Sequence, residues 1–587
     1  MGDPGFSSFF LSSTTDKPPL RIGILLEHRL DRATAAILED LRAADFVTPV
    51  IVLFDAGPVD PATAGSTASP GGRWLERLRR AVPASRERWG RLAWDLYTEL
   101  DRRRVTLADD PVGPVDRAAA LQGLDARPVR LVRDGAVRRL PAGALDQLRT
   151  ASLDVILQLG LDDVRGHFDI GSYGCWALRH GDGDRYAGDP PHAWEIVEGS
   201  PVTGVTLERR AGTPAETLVL ASAQFATDTG SLVRNRVMPY FGSTFLVVRK
   251  LWELHRFGWQ RLVEQSRPAG PAASGHGAVG IPPNRVVVRW LLPRVLGSVR
   301  RRLAGRLRSR DEIEHWQMAI RVGGPRLDPE GAGDLPGFRV IESPKGRFYA
   351  DPFLVERDGR TWLYFEDYGY AERRGVISCA EVAADGRLGP ARVVLSTEGH
   401  LSYPYVFLDG EEAWMIPESS AQGAVRLYRA TDFPFEWVEH AEILPRPALD
   451  SSIWQQAGRW WLFTSLREPR GGATMLWLLH AESLSGPWVA HPMNPISADV
   501  RTARSAGLIH RHGERLLRPS QDGSRGYGSS FSLNAITILS PTAYEERELV
   551  TVGPDWAPRM VATHTYNRSG PFEVTDGKFR RPRRDVQ

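Results

Sequence analysis

The chain has 587 residues, of which 42% are hydrophobic and 25% charged, a balance typical of globular domains. This length predicts two or three domains, and the composition excludes a disordered, collagen-like or coiled-coil chain. The net charge of +3, from 74 basic and 71 acidic residues, provides no general case for nucleic-acid binding. Two cysteines, Cys175 and Cys379, are too few for a disulfide framework, so we expect a reduced, cytoplasmic location.

The first half of the chain has the alternation of strands and helices that is typical of α/β domains. Residues 1–19 lack the basic start and the apolar core of a signal peptide, and we expect them to be disordered. An apolar run at 21–26, helical spacing at 32–45 and a second apolar run at 50–54 predict a βαβ unit and therefore a parallel sheet. We predict an α/β domain over residues 20–262.

A linker and a basic helix are predicted to follow this domain, over residues 263–312. Pro, Gly, Ala and Ser dominate residues 266–284, which is typical of a linker. Residues 285–310 hold nine arginines among apolar residues, and an amphipathic basic helix of this kind suits an anionic membrane surface. The alternative is a helix packed between domains, with its arginines in solvent. Pro293 is expected to break or kink the helix.

From about residue 315 the pattern changes to short strands separated by Asp-Gly and similar turns, as at residues 575–577. A unit of apolar strand, turn and aromatic strand recurs at steps of 52, 47, 54 and 60 residues. The units are centred on Asp351, Tyr403, Asp450, Arg504 and His564. A repeat of about 50 residues with several strands predicts a five-bladed β-propeller over residues 313–582, with a short tail at 583–587. A β-sandwich is the competing fold.

Polar side chains recur at the starts of the predicted innermost strands. These strands line the central channel of a propeller, so their polar groups converge. Asp351, Asp450 and Arg504 place charge where a purely structural strand needs none. Several carboxylates around one axis suit glycosidic chemistry, in which one carboxylate is ionised and another keeps a proton for the leaving oxygen.

Eight motifs follow one another along the predicted propeller. They are Phe348-Tyr349-Ala350-Asp351-Pro352-Phe353-Leu354, Ser402-Tyr403-Pro404, Met415-Ile416-Pro417-Glu418-Ser419-Ser420, Asp450-Ser451-Ser452, Arg459-Trp460-Trp461-Leu462-Phe463-Thr464, Arg518-Pro519-Ser520-Gln521-Asp522, Tyr527-Gly528 and His564-Thr565-Tyr566-Asn567. In this order they resemble the N-terminal region of the glucosamine inositolphosphorylceramide transferases and its bacterial relatives, among which we place this chain. That region is in turn similar to the five-bladed propellers of arabinanase- and fructosidase-type glycosidases, whose relatives by fold include hydrolases, transferases and phosphorylases.

The resemblance implies a set of catalytic residues. Asp351 would be the nucleophile or general base, and Asp450 would be the carboxylate that orients the site and sets its pKa. Glu418 is the first choice for the general acid, and Asp522 or Glu366 is the second. The structural alternatives are a turn or cap at Asp351 and a hydrogen-bonded tie between blades at Glu418.

Further residues are expected to bind the substrate. Arg504, Arg518 and His564 could hold an anionic group such as a phosphate or a sugar acid. The complete set of expected substrate-binding residues is Glu366, Tyr403, Arg504, Arg518, Gln521, Asp522 and His564. The structural alternatives are a buried ion pair of Arg518 with Asp522 and a satisfied core histidine at His564.

The α/β domain carries a second resemblance, over residues 154–222. A strand at 154–157, the loop Gly174-Cys175-Trp176-Ala177-Leu178-Arg179-His180 and the turn Arg185-Tyr186-Ala187-Gly188-Asp189 are similar to those of the methionyl-tRNA and sugar-nucleotide formyltransferases. That family uses an Asn-x-His pair and a later Asp for proton transfer and oxyanion binding.

In this sequence the catalytic positions of that family are replaced. The Asn position falls on Ala177, the His position on Arg179 and the Asp position near Ala215. Because alanine cannot bind an oxyanion and arginine stays protonated, we predict a catalytically degraded formyltransferase fold, retained for binding or docking. The alternative is that His180 and Glu216 substitute for the missing groups through a shift in register.

Together these patterns predict a carbohydrate-active enzyme, either a glycosyl transferase or a glycoside-cleaving propeller, acting on a saccharide or glycolipid in surface-glycan or glycolipid biosynthesis. We expect a cytoplasmic protein, peripheral to the inner membrane through residues 285–310, with no metal site and no nucleic-acid partner. A nucleotide sugar is compatible with the pattern, whereas formyl-tetrahydrofolate is not expected as a cofactor. The alternatives are a non-catalytic sugar-binding scaffold and an active amino-sugar formyltransferase whose propeller binds the substrate.

Overall fold

The structure, a computed structural model, divides the chain into two compact units. The first comprises residues 1–300 with 468–473, and the second comprises residues 301–467 with 474–587. The structure describes residues 5–57, 86–134, 137–161, 164–181, 185–186, 190–212, 216–270, 280–304, 312–324, 326–331, 333, 335 and 337–586, without the side chains of 86–88 and 298–304.

The first unit is built on an eight-stranded sheet with helices. Its strands are β1 Leu20–Leu26, β2 Val47–Asp55, β3 Ala126–Val129, β4 Val132–Asp134, β5 Val137–Arg139, β6 Val155–Leu159, β7 Val164–Arg165, β8 Cys175–His180, β9 Val202–Arg210, β10 Leu218–Ala226 and β11 Arg267–Pro268. Its helices are α1 Arg32–Ala43, α2 Arg86–Arg104, α3 Arg117–Ala120, α4 Ala142–Thr150, α5 Ala193–Glu198, α6 Leu232–Asn235, α7 Val237–Ser243, α8 Phe245–Phe257, α9 Trp259–Glu264 and α10 Asn284–Ala304. The large sheet has the order β11-β10-β9-β8-β6-β1-β2-β3, and β4, β5 and β7 form a small separate sheet.

The predicted βαβ unit is confirmed by β1, α1 and β2, whose two strands are adjacent and parallel. Every residue of β1 from Ile22 to Leu26 is buried, which explains its continuous apolar run. Helix α1 begins where the carboxylate of Asp31 accepts the N–H of Thr34. Strands β1, β2, β3, β6 and β8 run parallel, whereas β9, β10 and β11 are antiparallel, so the sheet is mixed.

Residues 5–19, the described part of the segment predicted to be disordered, contain an ordered element, whereas residues 1–4 lie outside the described residues. Phe6–Phe10 form a 3-10 helix in which Phe6 and Phe10 are buried. Both rings contact Phe245 at the start of α8, with centroid distances of 5.4 and 6.4 Å. Local sequence did not predict this packing, because three phenylalanines within five residues form no extended periodic pattern and their partner Phe245 lies far along the chain.

The predicted basic helix is present as α10, and it continues through Pro293 without the expected break. Its Val287 and Trp290 are buried in an apolar cluster with Trp94 and Tyr97 of α2. One side of the helix is therefore packed inside the first unit. Outside the described residues lie 271–279 of the predicted linker and 305–310 of the predicted basic segment.

The second unit contains five antiparallel sheets, which we number as blades in chain order. It begins with β12 Glu312–Val322 and β13 Arg339–Ile341, which belong to blade 5. Blade 1 has β14 Arg347–Arg357, β15 Arg360–Gly369, β16 Arg374–Val382 and β17 Arg392–Leu395; blade 2 has β18 Ser402–Asp409, β19 Glu412–Glu418, β20 Val425–Asp432 and β21 Glu436–Leu444; blade 3 has β22 Ala448–Gln456, β23 Arg459–Arg467, β24 Thr474–Ala481 and β25 Val489–Ala490. Blade 4 has β26 Arg504–Ser505, β27 His510–His512, β28 Arg515–Asp522, β29 Ser530–Leu539 and β30 Tyr544–Val552; blade 5 is completed by β31 Met560–Ala562, β32 Tyr566–Ser569 and β33 Phe572–Pro582, after which α11 spans Arg583–Val586.

The five sheets form a closed ring, as a β-propeller requires. The innermost strands β14, β18, β22 and β26 contact one another in turn. Blade 4 reaches blade 5 through the N–H of Tyr566, which donates to the carbonyl of Ala506, and β32 contacts β14 of blade 1. The predicted five-bladed propeller in the carboxy-terminal region is therefore confirmed, and the competing sandwich is wrong.

The ring is closed by a pairing between the two ends of this unit. Strand β12 pairs antiparallel with β33 along its whole length of 11 residues. Asp576 lies inside β33, so the turn predicted at 575–577 is wrong. The Asp-Gly pair is typical of turns, but here it continues a strand because β12, from the other end of the unit, pairs with it. The predicted tail at 583–587 begins with α11, in which Val586 is buried.

The first three blades share an irregularity near the start of the innermost strand. Asp351, Tyr403 and Asp450 have left-handed φ angles of 50°, 44° and 45°. Each lies where the register to the second strand shifts, as in a β-bulge. A bulge re-aims the side chain out of the regular alternation, and backbone strain of this kind concentrates at functional sites. The repeat in the sequence therefore coincides with a repeated feature of the backbone.

Closure of the ring includes a buried ion pair between Arg321 of β12 and Glu573 of β33, whose side chains are 9% and 4% exposed. Glu573 also accepts hydrogen bonds from the N–H of Leu327 and the hydroxyl of Tyr566. We predict that Glu573→Gln lowers the free energy of unfolding by about 3–5 kcal/mol, because the Arg321 charge stays buried without its partner. Urea unfolding followed by tryptophan fluorescence measures this loss.

The matched control is Glu381→Gln, which removes the carboxylate from an exposed ion pair with Arg360. Because water solvates both partners at that position, we expect a loss of about 1 kcal/mol or less. Equal losses in the two variants would contradict the role of the Arg321–Glu573 pair in closing the ring.

Candidate active site

Five carboxyl groups from four blades come together in the propeller, and we call them the acidic centre. They are Asp351 on β14, Glu366 on β15, Glu418 on β19, Asp450 on β22 and Asp576 on β33. Four of them are buried, and the side chain of Glu418 is 11% exposed. The predicted catalytic residues Asp351, Glu418 and Asp450 are thus brought together, and Glu366 joins them.

Backbone hydrogen bonds at the bulges tie the acidic centre to successive blades. The N–H of Asp351 donates to Asp576 Oδ2 at 3.0 Å, which links blade 1 to blade 5. The N–H of Tyr403 donates to Asp351 Oδ2 at 3.1 Å, and the N–H of Asp450 points at Glu418 Oε2 at 3.4 Å. These carboxylates therefore have a structural role besides any chemical one. This role agrees with the tie between blades considered for Glu418, whereas Asp351 lies at a bulge and accepts an N–H from the next blade instead of forming the turn or cap considered for it.

His564 lies between two carboxylates of the acidic centre. Its Nδ1 is 2.8 Å from Asp576 Oδ1, and its Nε2 is 3.4 Å from Asp351 Oδ1. The imidazole stacks on Trp316 with a centroid distance of 4.2 Å. Burial disfavours the charged ring, but the neighbouring carboxylates, Asp576 first, outweigh burial and raise the pKa of His564. The imidazolium therefore neutralises part of the negative charge of the centre.

Arg504 is the second cation in the acidic centre. Its Nη2 lies 2.6 Å from Asp450 Oδ2 and 3.8 Å from Glu418 Oε2. Asp450 Oδ2 also accepts a hydrogen bond from Nε2 of Gln521 at 2.9 Å. Burial outweighs these contacts and raises the pKa of Asp450 to about 7. Arg504 and Gln521, both predicted to bind substrate, are therefore held at the centre by a carboxylate of the protein.

Two carboxyl groups of blade 1 differ in the strength with which they hold a proton. Burial raises the pKa of Asp351 to about 7, although the charge of His564 opposes the shift. Burial, together with the charges of Asp351 and Glu418, raises the pKa of Glu366 well above its usual range. Glu366 therefore favours its protonated form, whereas Asp351 exchanges its proton near neutral pH. Such a difference is what acid–base chemistry at a glycosidic bond requires.

An exposed aromatic residue that the sequence analysis quoted without a role lies beside the centre. Tyr527 is 52% exposed, its ring lies 5.2 Å from the guanidinium of Arg504, and it meets the edge of His564. Gly528 has a φ of 66°, and a Cβ there would come within 3.0 Å of His564 and Trp316. The Tyr527-Gly528 pair was therefore a usable signal, because only glycine allows this close approach.

Three residues predicted to bind substrate have other partners. Arg518 is fully buried and pairs with Glu546 at 2.6 Å, so its ion pair is not the anticipated one with Asp522. Asp522 accepts the N–H of Ser524 at 2.8 Å and closes the turn after β28. The remaining case is Tyr403, whose hydroxyl lies within hydrogen-bond distance of Ser452 and Gly507.

The acidic centre also includes a set of ligand atoms that the sequence analysis did not anticipate. One atom each of Asp351, His564 and Asp576 lies within 4.8 Å of the other two. Two carboxylates and an imidazole could hold a divalent cation. The sequence analysis predicted no metal site, because the histidines are scattered along the chain and form no cluster with the spacing of metal ligands.

The residues aligned with the formyltransferase site lie on β8 in the first unit. Ala177 is buried, and Arg179 lies 3.5 Å from a carboxylate oxygen of Glu208. His180 stacks on Tyr240 with a centroid distance of 3.7 Å, and burial lowers the pKa of His180 well below its usual value. Outside the described residues lie Ala215 and residues 187–189 of the predicted turn. The formyltransferase resemblance of this unit therefore stays a prediction.

These features define the second unit as a five-bladed β-propeller with a buried acidic centre. Residues 341–558 match the family model described as glucosamine inositolphosphorylceramide transferase 1, N-terminal. The matched segment contains Asp351, Glu366, Glu418, Asp450 and Arg504, whereas His564 and Asp576 follow it.

Curated relatives match the same region. The chain is 36% identical over 207 residues to glucosamine inositolphosphorylceramide transferase 1 of Oryza sativa subsp. japonica, and 33% identical over 209 residues to the protein of that name from Arabidopsis thaliana. Each match covers 34% of this chain, and the chain spans 27% of the length of each relative. Both relatives are plant proteins, so they do not support the predicted bacterial origin.

Solved structures of glycosidases are also similar to this chain. The α-L-arabinanase of Cellvibrio cellulosa is 12% identical, with a TM-score of 0.27, over 34% of this chain and 77% of that protein. The RS223 β-xylosidase is 12% identical, with a TM-score of 0.30, over 40% of this chain and 92% of that protein. At these identities and TM-scores the similarity carries no argument, and the assignment of the propeller fold depends on the five blades.

We predict that Asp351→Asn changes the pH dependence of stability. Because burial raises the pKa of Asp351 from 3.8 to about 7, the folded protein keeps a proton in this window that the unfolded chain releases. Ionisation of this carboxyl group in the unfolded chain therefore lowers the free energy of unfolding as the pH rises from about 4 to about 7. The variant cannot ionise, so it should gain stability over wild type across this window by on the order of a few kcal/mol. Urea unfolding at a series of pH values measures the difference.

Asp358→Asn is the control for this variant, because Asp358 also has a left-handed φ, of 53°, but its side chain is 86% exposed. Because asparagine adopts the left-handed backbone conformation as readily as aspartate, neither substitution is expected to change the backbone at its position. We expect no pH-dependent difference between Asp358→Asn and wild type. A parallel pH profile for Asp351→Asn and wild type would show that Asp351 is not held protonated by burial.

Proposed function

We propose that this protein transfers a glycosyl group in glycolipid or surface-glycan synthesis, and that the reaction takes place at the acidic centre. The observation that carries the proposal is the pair Asp351 and Glu366, two buried carboxyl groups with different proton affinities. The similarity of residues 341–558 to glucosamine inositolphosphorylceramide transferases supports a glycolipid as the substrate class.

In the proposed reaction, protonated Glu366 donates its proton to the leaving oxygen as the bond between that oxygen and the anomeric carbon breaks. Ionised Asp351 acts as nucleophile at the anomeric carbon or as general base that takes the proton of the acceptor hydroxyl. The imidazolium of His564 stabilises the ionised form of Asp351 from 3.4 Å. An acceptor hydroxyl in place of water makes the reaction a transfer and not a hydrolysis.

The surroundings of the two carboxyl groups support binding of a sugar. Tyr527 presents an exposed ring beside Arg504 and His564, and an aromatic face suits stacking on the apolar face of a sugar. Glu418, which is partly exposed, lies near Arg504 and can accept hydrogen bonds from sugar hydroxyls.

A sugar-binding scaffold without catalysis is the second candidate function. It is favoured by the internal hydrogen bonds of the acidic centre, since Asp351 accepts the N–H of Tyr403 and Asp576 accepts the N–H groups of Asp351, His564 and Thr565. Carboxylates engaged in this way can hold the ring together with no chemical role.

Substitution of the two carboxyl groups separates these functions. We predict that Asp351→Asn and Glu366→Gln each lower the rate of glycosyl transfer by about 10²- to 10⁴-fold, the usual contribution of a general acid or base. The assay uses radiolabelled sugar donors with inositol-phosphate lipids and other glycolipid headgroups as acceptors. Circular dichroism and saccharide binding by calorimetry are measured on the same preparations.

Asp358→Asn serves again as the control, because Asp358 lies at an exposed turn. Loss of turnover with retained saccharide binding in both variants supports catalysis at the acidic centre. Unchanged turnover in folded Asp351→Asn and Glu366→Gln eliminates these residues as catalysts, and saccharide binding without turnover in wild type favours the scaffold.

We further propose that the glycolipid is reached through peripheral contact of α10 with an anionic membrane. Val288, Leu292, Val295 and Leu296 of this helix are 50%, 52%, 48% and 58% exposed, at the spacing of one helical face. This apolar face is separate from the buried side that carries Val287. Among the described residues no helix meets the length and apolarity needed to cross a bilayer.

Charge supports an anionic lipid surface as the partner of this face. Arg285 and Arg289 are exposed on the same helix, and residues 298–302 add three arginines to its sequence. A basic helix with an exposed apolar face gains both burial of its leucines in the interface and attraction to lipid phosphates.

We predict that Leu292→Glu with Leu296→Glu lowers binding to phosphatidylglycerol-containing vesicles by tenfold or more, because two leucines no longer enter the interface. Vesicle sedimentation at low and high salt measures binding, and salt should weaken it by screening the arginines. Val438→Glu is the control, since Val438 is 48% exposed on blade 2. Binding of the double variant equal to wild type, or no vesicle binding by wild type, would contradict the proposal.

A further inference from the structure

A cavity of about 710 Å³ lies in the first unit, whereas the acidic centre belongs to the second. It opens at the carboxyl ends of β1 and β2, beside the short helix α3. Its lining residues are His28, Arg29, Leu30, Phe54, Pro114, Val115, Asp116, Arg117, Ala118, Leu121 and Ala126. The volume falls within the range of pockets for small molecules and cofactors.

The position of the cavity follows from the topology of the sheet. In open parallel α/β sheets, ligands bind outside the carboxyl ends of the strands. Strands β1 and β2 are parallel neighbours, and the loop after β1 supplies His28, Arg29 and Leu30 while the end of β2 supplies Phe54. The loop residues are therefore available to a ligand and are not needed to continue the strands.

The cavity combines an apolar wall with positive charge. Leu30 and Leu121 are buried, and Phe54 presents its ring to the guanidinium of Arg117 at 4.5 Å from the ring centroid. Arg117 is fixed by a hydrogen bond to the carbonyl of His28 at 3.1 Å. An apolar and aromatic wall suits a planar ring, and an arginine at its edge suits an anionic group on that ring.

The basic groups of this cavity lack acidic partners in the part of the chain that the structure describes. Arg29 is exposed and has neither an ion pair nor a side-chain hydrogen bond there, and Nδ1 of His28 is buried without a hydrogen-bond partner. Arg117 has no carboxylate partner in the same part of the chain. The cavity therefore contains two cations and a ring nitrogen that can each engage a ligand.

Nearby acidic groups are already engaged. Glu27 and Asp55 both pair with Arg138, each at 3.0 Å. The carboxylate of Asp116 accepts the N–H of Ala118 at the start of α3. Arg138 neutralises only one charge of the Glu27–Asp55 pair, and Asp116 stays an anion in the lining, so the attraction for an anionic ligand comes locally from Arg29 and Arg117.

From this geometry we propose that the cavity binds a nucleotide. The base lies against Phe54 and the two leucines, and the phosphate lies at Arg29 and Arg117. This site is separate from the proposed glycosyl-transfer reaction, so it can exist whether or not the acidic centre is catalytic. Nothing in the binding of such a ligand requires the residues aligned with the formyltransferase site.

Calorimetry and thermal unfolding of the full chain test this proposal with UMP, CMP, AMP and GMP as probes. Adenosine and ribose 5-phosphate, which each lack one half of the expected contacts, should bind at least tenfold more weakly than the best nucleotide. Bound nucleotide should raise the unfolding temperature in proportion to the logarithm of its concentration. 5-Formyl-tetrahydrofolate is tested in parallel, because it also joins a planar ring to acidic groups.

Arg29→Ala should weaken nucleotide binding by about tenfold, the loss expected for one charged contact with a phosphate. Arg130→Ala, which removes another exposed arginine of the first unit, should leave affinity unchanged. Both substitutions are on the surface, so both variants should fold.

Tight binding of a nucleotide with loss in Arg29→Ala but not in Arg130→Ala supports the proposal. The absence of nucleotide binding by wild type at millimolar concentration, or equal affinity in wild type and Arg29→Ala, overturns it. Binding of 5-formyl-tetrahydrofolate in preference to every nucleotide would also overturn it and would assign the cavity to a folate.

Discussion

The site in the propeller depends on the pairing of β12 with β33, because this pairing holds Asp576 at the centre of the ring. Asp576 accepts the backbone N–H groups of Asp351, His564 and Thr565 and the ring nitrogen of His564. Those hydrogen bonds join the first and last blades. The buried carboxylate of Asp576 thereby holds two groups in place: the strand that carries Asp351, and His564, which lies beside Asp351.

Burial of several carboxyl groups around one axis sets the chemistry of the centre. Carboxyl groups that cannot reach water resist ionisation, and His564 and Arg504 lie close enough to Asp351 and Asp450 to oppose this effect. The imidazole beside Glu366 is that of His400, at 3.4 Å, and burial lowers the pKa of His400, so it favours its neutral form. The carboxyl groups of the centre therefore differ in their proton affinity.

The first unit presents two separate surfaces to other molecules. The cavity at the carboxyl ends of β1 and β2 combines an apolar wall with Arg29 and Arg117. The outer face of α10 exposes leucines and valines beside arginines. Neither surface includes Ala177 or Arg179, the residues that the sequence analysis aligned with the formyltransferase site. A membrane-facing helix would bring a glycolipid to the protein, and a nucleotide site would respond to a different molecule.

Much of the fold was predictable from local patterns. The strand–helix–strand spacing predicted the βαβ unit, and the recurrence of Asp351, Tyr403 and Asp450 predicted the blades, because side-chain periodicity and repeats are properties of neighbouring residues. The sequence by itself thus determined the two fold classes and most of the acidic centre. Tertiary structure alone decided the position of Asp576, the pairing of Arg518 with Glu546 and the raised pKa of Glu366. All three features depend on contacts between residues far apart in the sequence and on the exclusion of water from the centre. Neither the contacts nor the exclusion of water can be predicted from local sequence.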